Sequence, residues 1–159
     1  MVDIKNSYII VTHKLFPGAG QDLYRYFKNR KIPTLLIEHN FLTMPEKRTI
    51  FTYFDGEREN KRLGLDYRFL HYFFCYIKDF VYTLYAVFLY PYKYKVYFGC
   101  GGFNVIAGLI LKLFKRVDKV VFYTIDFMPD RFNNRILDKL YMVVDKFSIR
   151  YADKTWNVC

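Results

Sequence analysis

The segment Val117 to Cys159, VDKVVFYTIDFMPDRFNNRILDKLYMVVDKFSIRYADKTWNVC, constrains the fold more than any other part of this chain. An apolar, β-branched run leads into Asp126, a long amphipathic helix follows, and another strand-like run comes after it. Strands joined by a helix lie parallel in one sheet, because a tight turn serves only antiparallel neighbours. Ligands of open α/β sheets bind outside the carboxyl ends of the strands, so an acid at this turn is a site candidate by position.

The same alternation organises the rest. Tyr8 to Thr12 reads as a strand, HKLFPGAG as a glycine loop, and the segment from about Gln21 to Arg30 as a helix. TLLIEH and TIFTYF are further strands, the second ending at Asp55-Gly56, and Glu57 to Arg62 reads as a solvated loop. KVYFG, a helix from about Phe103 to Lys115, and KVVFYTI complete the series. Strands that lack clean polar alternation and are separated by helices predict an α/β fold, a mainly parallel sheet covered on both faces. The 159 residues suit one domain with one continuous core. In the last helix Phe132, Ile136, Leu140, Val143, Val144, Phe147 and Tyr151 form an apolar stripe opposite Arg131, Arg135, Asp138, Asp145 and Lys146, and the stripe is expected to pack on the sheet. The first strand and the strand before Asp126 are expected to flank the point where the chain reverses across the sheet, with Asp126 in reach of Gly18 to Gly20.

The balance of 25 Lys+Arg against 15 Asp+Glu, a net charge of +10, favours anionic partners. Sixteen Tyr and seventeen Phe exceed the needs of a small core, so some are expected to face a ligand, a partner or a membrane. Three cysteines, Cys75, Cys100 and Cys159, have no metal-ligand spacing, and no secretory signal is visible; both fit a reduced, cytoplasmic chain. Asp66 to Tyr90 is long and mostly apolar, but Lys78 and Asp79 interrupt it, each at a cost of roughly 2.5 to 3.5 kcal/mol at mid-bilayer. It reads as a core or interfacial helix whose Arg68, His71 and Lys78 make a basic, membrane-surface stripe.

Several residues have the chemistry of a site. Gly18, Ala19 and Gly20 open the first helix, where backbone N–H groups and the helix dipole attract a phosphate or a sugar hydroxyl. Glu38, twenty residues after Gly18, imitates a dinucleotide-binding fingerprint, although Leu23 stands where its third glycine is expected. Asp126 can accept or orient a proton, or can cap the following helix, a task for which Asp130 competes. His13 and His39 each follow an apolar strand and can line one cleft. Gly101 and Gly102 allow close approach by a ligand or by a packed helix. Cys100 has no base partner in view and is not taken as a nucleophile, and no HExxH, GxSxG or GxxxxGK[ST] pattern occurs.

YIIVTHKLFPGAGQDLYRYFKNRKIPTLLIEH, then KVYFGCGGFNVIAG, then the order strand, ID.MP.RF.N, helix with D...IRYAD and a further strand, resemble the N-terminal half of GT-B glycosyltransferases of the group labelled family 4. The resemblance spans nearly all of the chain. It implies a Rossmann-like, doubly wound acceptor-binding domain over 1–159, with Gly18 to Gly20 and His13 facing the substrate, Gly101 and Gly102 nearby, and Asp126 as the acceptor-side polar residue. It also implies no metal and no cofactor, a nucleotide-sugar donor held by a C-terminal domain or a separate donor-binding subunit, and a glycan or lipid-linked acceptor at the inner face of a membrane. Two alternatives stay open: a nucleotide- or dinucleotide-binding Rossmann domain, and a non-catalytic basic adaptor at a membrane surface. Lys112, Lys115, Arg116 and Lys119 are a weak patch for nucleic acid, which is not an expected partner.

Overall fold

The structure is a computed structural model that describes residues 7–14, 18–40, 46, 48–64, 72–89, 93–124 and 134–157. The described elements are β1 (Tyr8–Lys14), α1 (Ala19–Asn29), β2 (Thr34–Asn40), β3 (Ile50–Phe54), β4 (Glu59–Leu63), α2 (Tyr72–Leu89), β5 (Tyr94–Cys100), α3 (Gly102–Leu113), β6 (Val117–Thr124), α4 (Arg135–Tyr151) and β7 (Lys154–Asn157). The strands form one sheet in the order β4-β3-β2-β1-β5-β6-β7. β2, β1, β5, β6 and β7 run parallel, while β3 and β4 are antiparallel additions at one edge. This is a Rossmann-like, doubly wound α/β fold.

The parallel strands are apolar on both sides because both sides are covered. Ile9, Val11, Leu35, Ile37, Tyr97 and Val120 pack under α2 and α3, while Ile10, Leu36, Phe98 and Val121 pack under Tyr24 and Phe27 of α1. Full burial of each aliphatic side chain is worth roughly 1.5 to 3 kcal/mol, so the two layers supply most of the driving force. From β1 the chain moves one way through α1, and from β5 it moves the other way through α3. The carboxyl ends of β1 and β5 therefore bound the crevice of the topological switch point.

Three expectations are corrected. Glu59 to Leu63 is an edge strand rather than a loop: Asp55 Oδ1 accepts from the backbone N–H of Glu57 and Arg58, and Gly56 takes φ +106, which closes a hairpin on β3. β5, not the strand before Asp126, sits beside β1, so β6 lies one strand further from the crevice. The apolar stripe of α4 faces outward, with Ile136 79% and Val143 63% exposed and Leu140, Phe147 and Tyr151 also open. The face that packs is Asp138, Tyr141 and Ser148, whose hydroxyl donates to the carbonyl of Gly102 at 3.0 Å. α4 reaches α3 through Gly102, where a side chain would meet Val144 and Asp145. A close approach needs small and polar groups at the contact, which leaves the large apolar residues on the far side.

Candidate functional site

Strand alternation sorts the polar residues at the crevice into two groups. In β1, Ile9, Val11 and His13 share the α2 and α3 face, and in β2 Leu35, Ile37 and His39 do the same, because successive side chains alternate. His13 and His39 are register partners across the parallel pair, which sets their rings 5.5 Å apart. Lys14 and Glu38 fall on the α1 face, where Glu38 Oε1 accepts from Gln21 Nε2 at 3.1 Å and lies 3.9 Å from Lys14 Nζ.

Above the two histidines stands Asp79 of α2, 4% exposed. Its Oδ2 is 3.2 Å from His13 Nε2, and its Oδ1 is 2.8 Å from Lys78 Nζ and 3.2 Å from His39 Nδ1. Burial pushes the Asp79 carboxyl up, but the charge of His39 and the hydrogen bond and charge of His13 outweigh it and hold the group well below the usual carboxylate range. Asp79 is therefore an anion throughout neutral conditions. His39 is sealed at 0% exposure, with Nδ1 3.1 Å from Thr49 Oγ1 and Nε2 2.9 Å from Thr83 Oγ1. Thr83 also donates to the Asp79 backbone carbonyl one helical turn earlier.

The tautomer of His13 follows from its partners. Asn104 Nδ2 lies 2.6 Å from the Cys100 carbonyl, which can only accept, so the amide nitrogen faces that carbonyl and also reaches His13 Nδ1 at 3.2 Å. His13 Nδ1 thus accepts, and its Nε2–H donates to Asp79. The arrangement is an oriented imidazole backed by a buried carboxylate, with its side chain 16% exposed. Such a pair accepts a proton from a hydroxyl that takes the place of the Asn104 amide, and the carboxylate stabilises the imidazolium formed.

Tyr76 of α2 forms the boundary of this polar group. Its ring is 5.4 Å from that of His13 and 5.5 Å from that of Phe103. On its other side an apolar groove of about 260 Å³ runs between Tyr76, Ile77 and Phe80 of α2, Phe103 and Ile106 of α3, and Leu137 and Leu140 of α4. Polar crevice and apolar groove are neighbours across one aromatic wall.

The remaining expected site residues fall out differently. Gly18 caps α1 in extended backbone, φ −149, with its N–H donating to Gln21 Oε1 at 3.0 Å and its carbonyl accepting from Gln21 and Asp22. Ala19 begins the helix. Gly20 is buried, and a side chain there would meet Thr12 of β1 at 3.0 Å, so its small size serves helix-on-strand packing. Gly101 has φ +89, which glycine adopts freely, and opens α3 by accepting from Val105 N–H. Gly102 is covered by α4, so it does not face the crevice. Lys78 turns toward Asp79 with its side chain 10% exposed. Asp126, Arg68 and His71 lie outside the described residues. Cys100 is buried, and that burial pushes its thiol up to about 12, against the pull of a hydrogen bond from Thr12, in keeping with a non-nucleophilic role. Among the described residues no group of three His, Cys, Asp or Glu is arranged to hold a metal ion.

Asp79, Asn104 and Tyr76 were not singled out from sequence as site residues. The available signal was a Lys78-Asp79 pair inside an otherwise apolar helix, since an acid in such a place needs buried partners. Compared with protein-family models, curated proteins and solved structures, the chain matches none.

Proposed function

We propose that this chain is the acceptor-binding half of a nucleotide-sugar-dependent glycosyltransferase, acting on a lipid-linked glycan together with a donor-binding domain or partner chain. The observation that carries the reading is the contiguity of the His13–Asp79 pair and the apolar groove across Tyr76. A lipid-linked sugar has the same two parts in the same order: a hydroxyl-rich head to deprotonate and a hydrocarbon tail to bury. In this reading His13 accepts the proton of the attacking hydroxyl, Asp79 holds the ring and its charge, and Asn104 occupies Nδ1 until that hydroxyl takes its place. Asp126 keeps the acceptor-side role that the resemblance gives it. The donor diphosphate would be neutralised by groups of the partner.

The dinucleotide alternative depends on Glu38 meeting a ribose. Glu38 is buried and engaged by Gln21 on the face opposite His13, which weighs against it. Photocrosslinking with a glycolipid analogue that carries a diazirine on its alkyl chain tests the proposal. Crosslinks on Tyr76, Phe80, Phe103 or Ile106, competed by the unlabelled glycolipid, support it. Crosslinks spread over the surface, or none, would overturn it, and retention on a nicotinamide-dinucleotide resin would favour the alternative.

A further inference from the structure

α4 sorts its charges by side. Its two acids turn to the protein, Asp138 buried and Asp145 beside Gly102, while its four cations Arg135, Lys139, Lys146 and Arg150 are all exposed. At 100° per residue these cations flank one edge of the exposed stripe of Ile136, Leu140, Val143 and Phe147. Across the groove α2 repeats the pattern without charge: Phe74, Ile77, Val81, Tyr85 and Phe88 are each about half exposed, and Asp79, Thr83 and Val87 face in. Phe114, at the end of α3, packs edge-on against Phe88, and with Leu113 carries the apolar surface between the two helices. Monomeric surfaces rarely expose so much contiguous apolar area.

We propose that this outward face of α2, α3 and α4 docks on an anionic phospholipid bilayer. Long cationic side chains beside an apolar stripe place their heads among phosphates while the stripe enters the acyl boundary. An all-positive edge on a chain of net charge +10 complements an anionic lipid surface, and it would repel a second copy of itself. Among the described residues no helix is long and apolar enough to cross a membrane, so these helices lie along the surface. The assignment stands independently of sugar transfer, and α4 supplies its cations.

Cosedimentation of the purified chain with vesicles of phosphatidylglycerol and phosphatidylcholine, against phosphatidylcholine alone, tests it. Binding to the anionic vesicles that weakens with salt is expected, because screening shortens the reach of surface charges to about 8 Å at physiological ionic strength. Each cation near the surface is worth about fivefold in partitioning, so Lys139→Gln with Lys146→Gln should weaken binding about twenty-five-fold. Val143→Glu with Phe147→Glu should abolish it while circular dichroism is unchanged, and Lys61→Gln on β4 should have no effect. No binding to anionic vesicles by the folded chain would overturn the proposal. So would a stable dimer in velocity sedimentation that Val143→Glu with Phe147→Glu splits, which would assign the face to a second copy.

Discussion

Replacing Asp79 by asparagine should be among the most damaging single changes at the crevice, and its cost can be argued from the surroundings. An exposed ion pair is worth about 0 to 1 kcal/mol, whereas breaking a buried one costs about 3 to 5 kcal/mol because a charge is left without compensation. Asp79 is of the second kind, with Lys78 at 2.8 Å and His13 and His39 both at 3.2 Å. Lys78 can swing its four-carbon stem toward water, which puts the expected loss at the lower end, about 3 kcal/mol. Lys78→Met combined with Asp79→Asn removes both charges and should recover at least about 1 kcal/mol of that loss. Urea unfolding followed by fluorescence of Trp156, the one tryptophan, and by circular dichroism measures each variant. The wild-type chain carries a pH signature with a definite sign. The Asp79 carboxyl is depressed in the folded state, so its contribution is fully present above the unfolded value of about 3.9 and is lost as pH falls below it. The acid loss should shrink in Asp79→Asn. A cost below about 1 kcal/mol, or additive effects of the two substitutions, would refute the account of a buried, coupled charge cluster.

Gly102→Ala should destabilise by about 1 to 3 kcal/mol in the same unfolding assay, because its methyl group would displace Asp145 and Val144 and lift α4 from α3. Lys115 sits at φ +55 just after α3, so Lys115→Gly should stabilise by about 0.5 to 1 kcal/mol, read as a higher urea midpoint. The 159-residue chain alone is expected to transfer no sugar from radiolabelled nucleotide sugars to a lipid-linked acceptor, since the reading places the diphosphate-binding groups on the partner; turnover above a heat-treated control would contradict this.

What was legible in the sequence was whatever the covered sheet dictates locally. β1, β2, β5 and β6 are buried on both faces, so their apolar runs stand out, and the helices between them follow from length and period. β4 was hidden because ENKRL is an edge strand whose formation depends on the turn at Asp55-Gly56 rather than on apolar residues. Periodicity found the stripe of α4 but not its direction, which is set by how closely Gly102 and Ser148 let two backbones approach. On α2 the same rule misled more deeply. Lys78 and Asp79 stood out only as interruptions of an apolar helix, yet Asp79 faces inward because its partners are His13, 66 positions earlier, and His39 on the adjacent strand. No local pattern carries a contact of that span. By contrast, the position of His13 and His39, each after an apolar strand, already let both line one cleft, and the structure sets their rings side by side.

The central claim is that the crevice and groove together receive a sugar joined to a hydrocarbon chain. Histidine-ring resonances report it directly, since His13 and His39 are two of the three histidines in the chain. Titrated with octyl glucoside below its micelle concentration, the isotope-labelled chain should show saturable shifts of the His13 ring nitrogens and of the Tyr76 and Phe103 rings. Glucose or octanol alone should bind far more weakly, and Tyr76→Ala should weaken the octyl glucoside response at least about tenfold, the equivalent of 1.4 kcal/mol. Equal responses to glucose, octanol and octyl glucoside, or a His13 ring that never moves at saturation, would contradict the account.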